Sequence, residues 1–184
     1  MVIFLSKHEA TNEEISDGVN LLISILISYP EIGTVSFDPQ YNQLKFKLML
    51  SAIPSQDEFL SIKHLLIDSI AVYTMLEGLP LKTSEIQLYT HDKVAMLSIV
   101  RDVHTISKNE ITLIMTLLRE NLKNYLILDY NVSLSTDDLL SQEDIIETML
   151  ENIKSHSLLH GLIGIRENSR VLVFNKENLT STKP

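Results

Sequence analysis

The chain has 184 residues, a formal net charge of −9 and a pI near 5.1. A hydrophobic fraction of 45% with only five glycines and five prolines describes a globular chain able to bury a core, and argues against long loops or disorder. The acidity argues against nucleic acid and anionic membrane surfaces as partners, because both need a positive footprint, and the absence of cysteine excludes disulfides, thiolate metal sites and cysteine nucleophiles.

Val2 to Lys7 reads as a first strand, and its apolar part is too short for the core of a signal peptide. Thr11-Asn12-Glu13-Glu14 has the capping-box pattern, in which a hydroxyl and a carboxylate satisfy free amides at a helix start. The helix it opens carries Ile15, Val19, Leu22, Ile23, Leu26 and Ile27 on one face, and Pro30 stops it. The longest apolar-dominated run is read as Val19 to Ile27, well below the ~20 residues that cross a bilayer, so a cytoplasmic protein is expected.

Two hairpins follow. Val35-Ser36-Phe37 and Leu44 to Leu50 flank a turn at Asp38-Pro39-Gln40-Tyr41-Asn42. Leu44, Phe46, Leu48 and Leu50 alternate with Lys45 and Lys47, the period of a strand with one packed face and one wet face. Ser55-Gln56-Asp57-Glu58 is a second capping box, and its helix runs to Glu77 before Gly78 and Pro80. That helix is apolar over most of its circumference and needs cover on more than one side, from its own chain or from a second subunit. The second hairpin joins Ile86-Gln87-Leu88-Tyr89 to Val94–Val103 through His91-Asp92. Its outgoing strand is apolar on both faces, which predicts an interior strand covered on both sides.

Ser107-Lys108-Asn109-Glu110 is a third capping box, opening a helix with Ile111, Ile114, Leu118 and Leu122 inward. Short strands are expected at Tyr125 to Asp129 and at Val132 to Leu134, and a last helix from Ser141. A third hairpin, Leu162 to Arg166 and Val171 to Phe174, closes a single domain over residues 1–176, leaving a polar tail at 177–184. The class is α+β, mainly antiparallel sheet with packed helices. Its first half follows the βαββαβ order of ferredoxin-like domains, and a ββα unit is repeated over 32–78 and 84–123.

Four groups of residues invite a chemical reading. Ser61, His64 and Asp68 share one helix face, but mid-helix amides are already bonded and offer no oxyanion hole, so a solvated stripe is expected. His156 and His160 have the i, i+4 spacing of metal ligands, yet they lie where a helix should end, and no metal or other cofactor is expected. Arg101, Asp102, His104 and Thr105 gather where a strand ends and a helix begins, a place where a ligand can bind; turn and cap chemistry is the competing reading. Arg166 and Arg170 bracket the last hairpin and could clamp a carboxylate or phosphate.

No motif specifies catalysis. The leading expectation is therefore a small cytoplasmic adaptor or regulatory protein, working through protein contacts and a homodimer, with Leu60, Ile67, Tyr73 and Met75 at the interface. The alternative is an enzyme or small-molecule sensor whose site lies near Arg101 to Thr105, with Asp102, His104 and an arginine of the last hairpin lining it.

Overall fold

Alternating apolar residues build the frame. The computed structural model describes residues 2–5, 12–128, 136–156, 158–168 and 170–176. The elements run β1 (Val2–Leu5), α1 (Asn12–Ser28), β2 (Ile32–Asp38), β3 (Gln43–Leu50), α2 (Gln56–Leu76), β4 (Ser84–His91), β5 (Val94–Asp102), α3 (Lys108–Asn121), α4 (Thr136–Ser155), β6 (Leu162–Glu167) and β7 (Arg170–Asn175). The strands form one sheet in the order β1-β7-β6-β2-β3-β5-β4. Six are mutually antiparallel, and β1 joins the edge parallel to β7.

This order departs from the ferredoxin-like plan, which would set β1 beside β3. Here β3 lies between β2 and β5, and β6, the first strand of the last hairpin, takes the free edge of β2 through Thr34↔Ile165 to Phe37↔Leu162. Local alternation specifies that a strand exists and which way it faces. It does not specify its neighbour, and that is where the expectation failed.

Val35, Phe37, Leu44, Phe46, Leu97 and Ile99 share one face of the sheet by register and are all buried. α1 lies on that face, since a Cβ placed on Gly164 would meet Leu26 Cδ1 at 3.0 Å and Val35 Cγ1 at 3.4 Å. α3 lies there too, tied to the residue that follows α1 by the Tyr29–Thr112 hydroxyl bond of 2.8 Å and to β5 by Arg101. α2 rests on α3 and β4, and α4 on α1 and α3. No described element covers the other face. β5 is interior, as its composition requires, but its expected cover on both faces is corrected: helices lie on one side only. Val94 is exposed and Met96 half-buried, while Val100 and Ser98 are screened on the open face, where Lys45 and Lys47 stand opposite them on β3.

Turn and cap chemistry is where it was read. Asn42, Asp92 and Asn168 take positive φ in the three hairpin turns, as Asn and Asp tolerate. Gly78 has φ 68 after α2, and Leu79 N–H donates to Thr74 O at 2.9 Å. Two boundaries differ. α4 starts at Thr136, so Ser141 lies inside it, and of the strand expected over Tyr125–Asp129 the described residues, up to Leu128, form one bridge, Leu50↔Leu126. The Thr11 cap, Val132 to Leu134 and the tail lie outside the described residues.

Candidate functional site

At the corner where β5 meets α3, Arg101 is fully enclosed. β5 points it to the helical face, and α3 brings its first turn over the strand end. Its Nε donates to Glu110 Oε1 at 2.5 Å and its Nη2 to Glu110 Oε2 at 3.0 Å. Nη2 also donates to Thr105 Oγ1 at 3.1 Å, and Nη1 to Asp102 Oδ1 at 2.8 Å and to the Thr83 carbonyl. All five N–H groups of the guanidinium thus find partners inside the chain. Asp102 Oδ2 accepts from the Thr105 amide and hydroxyl, and Oδ1 accepts from the Thr83 amide at 3.1 Å. The cluster ties the link before β4, the end of β5 and the start of α3 into one polar knot.

Burial pushes the Asp102 carboxyl up, but its bonds from Thr105 and Thr83 and the charge of Arg101 outweigh burial and hold it below the ordinary range. For Glu110 burial wins over Arg101, and the carboxyl is raised. Glu110 also explains why the third capping box is half made. Ser107 Oγ accepts from the Glu110 amide at 3.1 Å, but the carboxylate turns to Arg101. In the second box both halves are present, with Ser55 N–H donating to Glu58 Oε2 at 2.8 Å.

The residues expected to meet around a ligand are not brought together. His104 is exposed, with its Nε2 2.7 Å from Asn42 Nδ2. Arg166 belongs to the other end of the sheet. Arg101, Leu44, Phe37 and Leu162 lie in one row across it, and Arg166 is four residues further along β6. That separation is about 13 Å along the strands and about 14 Å across them. Arg166 instead donates to the Leu26 and Tyr29 carbonyls, a cation set at the C-terminal end of α1, which has no basic residue of its own there. Arg170 is exposed, opposite Glu167 in register.

Ser61, His64 and Asp68 are all exposed, as a solvated stripe should be. α4 ends at Ser155, so His156 and His160 do not share a helical turn. Among the described residues, no three His, Asp or Glu side chains are placed to hold a metal ion.

The α2 surface is different. Only Ile62, Leu66, Ile70 and Thr74 are buried. Leu60, Leu65, Val72, Met75 and Leu76 are exposed. At 100° per residue, Leu60, Ile67 and Met75 fall on one stripe and Leu65, Val72 and Leu76 on another, with Ser61 and Asp68 between. Of the four expected interface residues, Leu60 and Met75 are exposed and Ile67 is half-buried. Tyr73 turns inward, its hydroxyl 2.9 Å from Ser107 Oγ. A groove of about 390 Å³ runs between α2 and α3, lined by Asp68, Ser69, Val72, Tyr73, Leu76 and Leu113. α2 is also long and apolar enough to cross a membrane by length and composition alone, so the expectation that Val19 to Ile27 is the longest apolar run is corrected.

No family model matches the chain, and neither the curated proteins nor the solved structures contain a match.

Proposed function

We propose that the chain works by binding protein, and first its own copy, through the side formed by α2, the link at residues 77–83 and β4. The observation that carries this reading is the exposure of Val72, Met75 and Leu76, at 51%, 68% and 76%, in the last turns of α2. Leu79 and Leu81 extend the apolar surface into the link, and Tyr89 is exposed on the open face of β4, away from the helices. Seven of the fourteen large hydrophobic residues found exposed among the described residues lie between Leu60 and Leu81, on α2 and the link after it, so half of the surplus is gathered there. Concentrated apolar surface of this kind marks an interaction site.

Work of this type makes and breaks no bonds, which suits an adaptor or regulatory subunit. The missing cysteines are in keeping with a reducing compartment such as the cytoplasm. The side-by-side pairing of β3 with β5 supports reading 32–78 and 84–123 as one ββα plan used twice. The second helix of that plan lies between α2 and α4, and the first is left uncovered on its outer side.

Light scattering across the micromolar range tests the reading. The wild-type mass should climb from 20.9 kDa toward twice that value. A Val72→Glu, Leu76→Glu double variant should remain at the lower mass with an unchanged melting temperature. A wild type that stays monomeric throughout removes self-association.

A further inference from the structure

The open side of β4 is chemically unfinished. Its eight residues pair with β5 in an unbroken register, from Ser84↔Arg101 to His91↔Val94. No strand among the described residues lies beyond it. Among the described residues, no turn or loop backbone bond reaches residues 84–91. Edge strands are normally blunted by proline, a bulge, inward charge or lysine. β4 has no proline, no bulge and no lysine or arginine, and Glu85 is its one carboxylate.

We infer that a second copy of this chain docks there, β4 against β4, antiparallel about a twofold axis normal to the sheet. Two sheets then run on as one. The inference rests on the self-association proposed above and gives it a geometry.

A strand that pairs antiparallel with itself is its own complement, which no unrelated segment need be. An axis normal to the sheet keeps each side chain on its own face. The joint can therefore centre on Gln87 of both copies or on Leu88 of both. In the first case Ile86 meets Leu88 twice on the helical face, and Glu85 meets Tyr89. In the second Leu88 meets Leu88, and Glu85 meets His91. Neither centring sets Glu85 against Glu85, so the strand's only carboxylate never faces its own copy across the joint. The same rotation brings the second α2 to the same face as the first, where exposed apolar residues of the two helices can cover one another. Opposing this is the repulsion of two chains of −9 each, so association should strengthen as salt screens it.

The lack of cysteine makes the test clean, because one introduced thiol carries one spin label. Gln87→Cys and Tyr89→Cys place labels on the exposed face of β4, and Lys45→Cys places one on the same face of β3, two strands inward. Pulsed electron spin resonance on the full chain should give short label-to-label distances for the β4 variants. For Lys45→Cys the distance should be longer by roughly 20 Å, the width of four strand spacings. A dimer by light scattering whose β4 labels are no closer than the Lys45 labels overturns the edge pairing and leaves self-association standing. A monomer at every concentration and salt overturns both, and leaves the edge to a different chain or to none.

Discussion

Arg101 shows how one side chain can read as a binding site and be structural. Its charge, and that of Asp102 beside it, stood at a strand end where ligands gather, and nothing local announced that Glu110, nine residues on, would take the guanidinium. The only hint was that Glu110 had two possible jobs, cap and counter-ion. Burial decides between them, because a buried guanidinium without carboxylates costs several kcal/mol. Arg101→Met should therefore destabilise the fold by about 3–5 kcal/mol in urea melts, since it strands two enclosed carboxylates. The same knot carries a pH dependence. The Asp102 carboxyl lies below its ordinary value in the folded state, so its share of stability is present above the unfolded value and is lost as pH falls through the folded one. Glu110 is raised and acts oppositely: its share is present below the unfolded value and fades as pH rises through the folded one. Asp102→Asn should lower stability at neutral pH and flatten the acid-side decline. Melts taken from neutral to strongly acid pH would show both, and an undiminished acid slope would mean that other carboxylates set it.

Among the elements, faces were legible and neighbours were not. The Leu44–Leu50 alternation gave that strand its packed and its wet face, and the apolar β5 pattern put β5 in the interior of the sheet, with Leu97 buried, Lys45 exposed and Lys47 half-buried. Period-two alternation encodes the burial that selects it. The pairing of β6 with β2 depends on contacts more than a hundred residues apart in sequence, and no local window contains them. The start of α4 was misplaced for a related reason: Ser141-Gln142-Glu143-Asp144 looks like a cap whether or not the preceding turn is already helical. The face assignment is tested by a pair of variants. Leu97→Asp should cost several kcal/mol, because it buries an unpaired carboxylate under the helices. Lys47→Glu, on the open face, should change stability by no more than about 0.5 kcal/mol. Chemical denaturation of both separates the outcomes, and comparable losses, or a neutral Leu97→Asp, would mean the face assignment is wrong.

For the whole molecule, the layering explains the surplus apolar surface. The four described helices share one side of the sheet of seven described strands, and α2, the outermost over β4, is held by a single buried stripe. The sequence already carried that surplus in the apolar circumference of residues 56–77; which part of it would stay uncovered depended on where α3 and β4 came to lie. The central claim is that this uncovered side is a contact surface. Amide hydrogen exchange by mass spectrometry, on the wild type at low and then high concentration, tests it most directly. Peptides covering α2 from Val72 onward and β4 should exchange more slowly as concentration rises, while those of β2 and α1 stay the same. Exchange that is independent of concentration everywhere, or protection that appears only outside residues 60–94, would contradict the account.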